Sequence, residues 1–257
     1  MGGYHFDLSG RTVLVTGASS GIGRHFAKRL AASGARVAIA ARRINALEAL
    51  RDEIVAAGGI AFATPMDVAD EASTIAAYDA IEAALGPVDS VIANAGTNLG
   101  GSALGMPLED FDRVVAINQR GVFLTAREGA RRMIKAGSPE RGHGRVVIIA
   151  SVTASYTSTH SVPYSTTKAA VVQMGRTMAL DWANKGVNVN VVCPGYMRTE
   201  LTDEFLSSAK GQALLASFPR GRMMDIDVLD PTIIHLCSDA SAQITGSVFT
   251  IDDGQTL

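Results

Sequence analysis

Tyr164 and Lys168 stand four residues apart in Tyr164-Ser165-Thr166-Thr167-Lys168, a spacing that puts both side chains on one face of a helix. A free phenol ionises near pH ~10, too high for proton transfer at neutral pH. A neighbouring ammonium stabilises the phenolate and lowers that value. The pair therefore reads as a proton donor and acceptor for an alcohol oxygen. Ser151 closes the apolar run Arg145–Ala150 thirteen residues upstream, where its hydroxyl can hydrogen-bond the same oxygen. Tyr-x-x-x-Lys alone also occurs on plain solvated helix faces, so the pair needs support from the rest of the chain.

That support begins at Arg11–Gly23. Val13-Leu14-Val15 has the length and composition of a buried strand. Thr16-Gly17 ends it, and Ser19, Ser20, Gly21, Ile22 and Gly23 lead into the amphipathic run Arg24–Leu30. A strand, a glycine-rich turn and a helix start make an anion cradle. The helix N-terminus offers unpaired N–H groups and partial positive charge, and glycines let backbone approach where a Cβ would block it. The spacing Gly17-x-x-x-Gly21-x-Gly23 is wider than the common dinucleotide fingerprint G-x-G-x-x-G.

Elements that could position these groups alternate along the chain. Strands are expected at Ala35–Ala40, Ile60–Pro65, Ser90–Ala93, Arg145–Ala150, Val187–Val192 and Ser247–Ile251. Helices are expected at Ile44–Ala57, Glu71–Leu85, Glu109–Lys135, Tyr164–Lys185, Leu201–Ser217 and Asp230–Ser238. Such alternation marks a parallel, doubly wound sheet with helices on both faces. Ligands in such sheets bind beyond the carboxyl ends of the strands, so the residues after each strand are the candidates for chemistry.

Composition sets the bounds. The 257 residues suit one α/β domain with a large core. At 47% hydrophobic and 19% charged, the chain is not a disordered one. A net charge of −2 gives no reason to expect a nucleic acid or an anionic membrane as partner. The Arg pairs 42–43 and 131–132 are too short for a basic patch and read as solvated helix ends. Cys193 and Cys237 lack metal-like spacing and read as buried free thiols in a reducing compartment. No metal site is expected. The N-terminus lacks a signal segment, Phe6 breaks a myristoylation pattern, and no apolar run approaches membrane-spanning length. A soluble, cytoplasmic protein is expected.

Thr16-Gly17-x-x-x-Gly21-Ile22-Gly23, Asn94-Ala95-Gly96, Asn118, Ser151 and Tyr164-x-x-x-Lys168 follow in one order on matching elements. Together they resemble the classical short-chain dehydrogenase/reductase family from about Phe6 to Asp253. The resemblance implies a single-domain Rossmann fold over 1–257, with a doubly wound parallel seven-stranded sheet. It implies hydride transfer between a nicotinamide cofactor and a carbonyl or secondary alcohol of ketone, sugar or polyol type. Tyr164 is then general acid or base, Lys168 its electrostatic partner and a ribose ligand, and Ser151 orients the substrate oxygen. Asn118 kinks its helix and holds a water in a proton path. A fatty-acid-type oxoacyl reductase and a non-catalytic nucleotide-binding scaffold are the rival readings.

The cofactor contacts follow strand by strand. Ala41 sits where a carboxylate would hold the ribose 2′-hydroxyl of NAD, while Arg42 and Arg43 suit a 2′-phosphate. NADP(H) is expected, with NAD(H) the alternative if both arginines merely begin a helix. In the family, residues matching Asp67 and Val68 hold the adenine, although Asp67 could equally be a helix N-cap. Asn94-Ala95-Gly96 passes the nicotinamide ribose, with Ala93 replacing the first Asn of the family's N-N-A-G. Pro194-Gly195 turns under the nicotinamide and Thr199 holds its carboxamide. Tyr196 and the segment about 195–225 line the substrate pocket, and His160 either faces it or lies on a loop surface. The family's matching long helices join subunits, so a homotetramer is expected. Gly221-Arg222-Met223-Met224 and Asp252-Asp253-Gly254 depart from the family's usual C-terminal patterns.

Overall fold

Seven apolar runs pair in parallel into one sheet in the computed structural model, which describes residues 6–198 and 208–257. They are β1 (Thr12–Thr16), β2 (Arg36–Ala41), β3 (Ile60–Pro65), β4 (Ser90–Ala93), β5 (Gly144–Ile149), β6 (Val187–Pro194) and β7 (Val248–Ile251). Their order is β3-β2-β1-β4-β5-β6-β7. The chain first builds outward from β1, then returns to place β4 on the other side of β1. That reversal leaves a crevice beyond the carboxyl ends of β1 and β4, where such sheets bind ligands.

Both faces of the sheet are covered. Leu14, Val91, Val146 and Ile148 face a core made with α3 (Glu71–Leu85), α5 (Gly121–Lys135) and α7 (Val162–Trp182). Val13, Val15, Ile92, Val147 and Ile149 face a second core made with α1 (Gly21–Ala32), α2 (Ile44–Ala56) and the last helix (Asp230–Cys237). Period-two alternation thus sends apolar side chains to both sides, as expected of a parallel sheet buried on both faces. β4 and β5 are buried at every residue.

Several expectations are revised. The helix expected over Glu109–Lys135 is three pieces: α4 (Leu108–Val115), a π-helical turn Ala116–Arg120, and α5. The short α6 (Ser138–Arg141) was not anticipated. α7 starts at Val162, because Pro163 needs no N–H partner in the first turn. Of the helix expected over Leu201–Ser217, α8 spans Ala209–Ser217, and residues 201–207 lie outside the described residues. The last helix, α9, ends at Cys237.

Arg132 is not a solvated helix end. Its side chain is 15% exposed and reaches Asp79 at 2.8 Å, Glu82 at 2.7 Å and Glu128 at 2.8 Å. It ties α5 to α3, and those carboxylates hold its guanidinium firmly protonated. Arg131 on the outer side keeps the expected exposure. Cys193 and Cys237 are both free and buried. No helix among the described residues is long and apolar enough to cross a membrane.

Candidate active site

The cradle after β1 is held against the end of β4 by side chains as well as by the strand ladder. Thr16 Oγ1 donates to the Ile92 carbonyl (3.3 Å) and accepts from the Asn94 and Ala95 N–H groups (3.1 and 3.2 Å). Asn94 Nδ2 donates to the Thr16 carbonyl at 2.9 Å. Asn94 therefore makes a cross-strand bond of its own next to Ala93, the family's other Asn position. This close approach requires glycine. A Cβ on Gly17 would stand 2.8 Å from Ala95 Cα, and one on Gly23 would stand 2.5 Å from Asn94 Nδ2. Gly21 has φ +54, and an added Cβ there meets no protein atom within 4 Å. Ser20, the N-cap of α1, makes no side-chain cap bond, so the first N–H groups of α1 remain available.

Two cavities meet along this cradle and share Gly17, Ser20, Ala95, Gly96 and Thr97 in their walls, making one cleft. The first, about 230 Å³, is bounded by Ser19, Ala41, Arg42, Arg43, Asp67 and Val68 at its far end. Both arginines are exposed. Arg43 donates to Ser19 Oγ (3.0 Å) and Ser20 Oγ (2.8 Å), whereas Arg42 only borders the cavity. Asp67 is not the N-cap of α3. That place belongs to Asp70, whose carboxylate accepts from the Ser73 N–H at 2.7 Å. Asp67 Oδ1 instead accepts from the Ala69 N–H, and the residue stays on the cavity wall.

The second cavity, about 360 Å³, is lined by Gly21, Ile22, Gly23, Ser151, Tyr164, Lys168, Pro194 and Gly195 among others. The end of β5 delivers Ser151, while the first two turns of α7 deliver Tyr164 and Lys168. Ser151 Oγ accepts from the Thr153 N–H (3.2 Å) and hydroxyl (3.1 Å). Its own proton is then free to turn toward the Tyr164 oxygen, and its influence lowers the Tyr164 pKa. Burial acts the other way and dominates, so the Tyr164 pKa is raised, with nearby Tyr196 adding to the rise. Burial, rather than the lowering expected from Lys168, sets the direction here. Lys168 Nζ donates to the Ile149 carbonyl at 2.8 Å and lies 5.5 Å from the Tyr164 ring centroid. Burial pulls the Lys168 pKa down to about 8.

Asn118 sits in the π-helical turn, fully buried. Its amide donates to the Thr97 carbonyl and accepts from the Thr97 N–H, both at 2.8 Å, and reaches Thr167 Oγ1 at 3.3 Å. It thereby joins the loop after β4 to α7. Tyr196 is half-buried, with its ring centroid 5.4 Å from that of Phe218. The His160 ring is exposed and outside the cleft wall; its backbone has φ +58 and its carbonyl accepts from the Gly101 N–H. Thr199 lies outside the described residues. Thr97, Thr153 and the Ile149 carbonyl escaped sequence reading. Each acts through short-range bonds that no spacing rule encodes.

Relatives extend this geometry. The family model described as short chain dehydrogenase matches residues 11–210. The D-threitol dehydrogenase of Mycolicibacterium smegmatis is 35% identical over 99% of this chain and 96% of its own length. The gluconate 5-dehydrogenase of Gluconobacter oxydans is 34% identical, covering 98% and 97% respectively. Among solved structures, a gluconate 5-dehydrogenase from Burkholderia cenocepacia in complex with NADP and tartrate superposes with TM-score 0.91 at 34% identity, covering 98% of this chain and 97% of that one.

The lowered Lys168 pKa sets a stability signature. The buried amine holds its proton less tightly folded, near pH 8, than unfolded, near its ordinary 10.5. Below about pH 8 both states carry the charge, and the folded state bears the whole burial penalty. Between these values the folded state releases its proton first, so stability rises with pH. Urea unfolding without nucleotide at pH 7 and at pH 9.5 should show wild type gaining on Lys168→Met at the higher pH. A constant difference between the two proteins would show that Lys168 is not a buried ammonium.

Proposed function

Because the chain belongs to the short-chain dehydrogenase family, we propose that this oxidoreductase uses NADP(H) to interconvert a carbonyl and a secondary alcohol on a small polyhydroxy substrate. The observation that carries this reading is the single cleft with two chemically different ends. Two exposed guanidinium groups stand at one end, and the hydroxyl residues Ser151 and Tyr164 stand beside a buried amine at the other. The residues fit a dinucleotide: uncapped α1 N–H groups and Gly21, open to the cleft, suit a pyrophosphate. Arg42 and Arg43 suit a 2′-phosphate, and Asp67 and Val68 suit the adenine. Gly96, Pro194 and Gly195 border the nicotinamide end. The bound cofactor supplies or accepts hydride at its nicotinamide ring.

The chain's own groups handle the proton. With its pKa raised, the Tyr164 phenol is protonated at neutral pH and poised to donate to a carbonyl oxygen as that oxygen gains charge. Ser151, whose oxygen already accepts from Thr153, is left to donate to the same oxygen. Lys168 opposes the negative charge that the phenol acquires. Asn118 fixes the loop wall and α7 relative to each other, and in this reading it completes the proton relay. The polyhydroxy substrate class rests on the threitol- and gluconate-acting relatives. A homotetramer joined through α5 and α7, acting in the cytoplasm, is part of this reading. Phe123 (38% exposed) and Leu180 (80% exposed) are apolar groups on those helices that want cover.

Fluorescence titrations with NADPH and NADH test the cofactor. NADPH should bind wild type more tightly, and Arg42→Ala and Arg43→Ala should together erase most of a preference of about tenfold or more. NADH binding as well as NADPH would overturn the assignment. Activity is then read as NADP+-dependent oxidation of D-threitol or gluconate and as the reverse reduction. Tyr164→Phe should lower kcat by about 10²–10⁴, and wild-type-like turnover would remove Tyr164 from the chemistry. Light scattering should return four copies at micromolar concentration, whereas a monomer would rule out the assembly.

A further inference from the structure

The turn after β7 reaches back across the sheet end to the substrate side of the cleft. Gln255 is 6% exposed, and its side-chain amide takes up both backbone polar groups of Tyr196. Oε1 accepts from the Tyr196 N–H at 2.6 Å, and Nε2 donates to the Tyr196 carbonyl at 3.0 Å and to the Arg222 carbonyl at 3.4 Å. The contact is tight, since a Cβ on Gly195 would stand 2.8 Å from Asp252 Cβ and would also strike Gln255 Oε1. The turn that carries Gln255 is itself braced. Asp252 accepts from the Gly254 and Thr256 N–H groups at 3.1 Å each, and from the Thr256 hydroxyl. Asp253 pairs with Arg220 at 3.1 Å and Arg222 at 2.7 Å.

These bonds converge on one wall. Tyr196 packs on Phe218, Met197 bridges Met224, and the Arg198 N–H donates to the Met224 carbonyl. Two chain segments separated in sequence, 195–198 and 218–224, are thus assembled on a template formed by 252–256. Gly195 and Met197, on either side of Tyr196, line the same cavity as Tyr164. We propose that Gln255 is a positioning residue for substrate recognition: it fixes the backbone of Tyr196, and so sets the wall that faces the Tyr164 hydroxyl. This inference rests on the reading of Tyr164 as the proton donor. It assigns Gln255 no contact with the cofactor and no part in proton transfer.

Two variants of Gln255 separate recognition from folding. Gln255→Leu keeps the bulk and loses every bond. Gln255→Glu keeps the acceptor for the Tyr196 N–H but sets a carboxylate against two carbonyls. Hydrogen exchange followed by mass spectrometry should show faster exchange, about tenfold, in peptides covering 195–198 and 220–224, with peptides from α1 unchanged. With D-threitol or gluconate, whichever wild type turns over, KM should rise about fivefold or more while kcat and the NADPH Kd stay within about twofold. Unchanged exchange would overturn the clamp. Faster exchange with unchanged KM, or an NADPH Kd that worsens as much as KM, would overturn the role in recognition. Should Gln255→Leu not fold, Asp253→Asn loosens the same turn from its other side and should raise KM alone. If wild type oxidises neither compound, the reaction reading is what fails, and exchange still decides the clamp.

Discussion

Thr16 and Asn94 make the joint on which the cleft depends. The β1–β4 ladder pairs only Val13 to Val15 with Ser90 to Ile92, leaving the ends of both strands free to splay. The Thr16 hydroxyl and the Asn94 amide close that gap with four bonds between side chain and backbone. Backbone must then pass over backbone without side chains between, which is why Gly17 and Gly23 cannot carry a Cβ. The direction of α1 follows from this contact, and with it the aim of the helix's unpaired N–H groups. An anion site of this kind is therefore a product of strand-end geometry rather than of any one charged residue.

Polar groups buried around that joint would be expensive without partners. The structure satisfies them in a way that also orients them. Lys168, 4% exposed, finds the Ile149 carbonyl at the end of β5. Asn118, fully buried, spends its amide on Thr97 and Thr167. The π-helical turn that carries Asn118 inserts an extra residue between α4 and α5, a device that redirects one side chain without ending the helix. In each case one bond both satisfies a buried group and fixes a residue of the cleft, so packing and site geometry cannot vary independently.

Sequence made the layered frame legible because its punctuation is strong. Gly58-Gly59 and Gly86-Pro87 bound elements whose limits, Ile60–Pro65 and Glu71–Leu85, are those observed. The residues after β1, β4, β5 and β6 were findable for the same reason: fold topology dictates where ligands lie. What stayed hidden depends on partners distant in sequence. Nothing near Arg132 announces Asp79 and Glu82 some fifty residues upstream. The apolar pattern of 114–124 breaks at Asn118-Gln119-Arg120-Gly121, and the kink that the resemblance implies at Asn118 falls in the π-helical turn, although spacing alone does not say what form the break takes. Arg42 and Arg43 look alike in sequence, yet only Arg43 reaches the cradle serines. Spacing placed Tyr164 beside Lys168 correctly, but the sign of the phenol's shift is decided by burial, which spacing does not report.

That sign matters for how the two ends of the cleft divide their work. A lone ammonium near a phenol would make a ready base, favouring proton removal from an alcohol. Here burial raises the phenol's pKa, and nearby Ser151 restrains the rise. A buried phenol of this kind is held in its protonated form more firmly than a free one. The other end works differently. Arg42 and Arg43 are exposed, so the pull of either on any anion is screened by salt and solvent. The two ends meet only along a shared wall of Gly17, Ser20, Ala95, Gly96 and Thr97, so the groups at one end make no direct contact with those at the other.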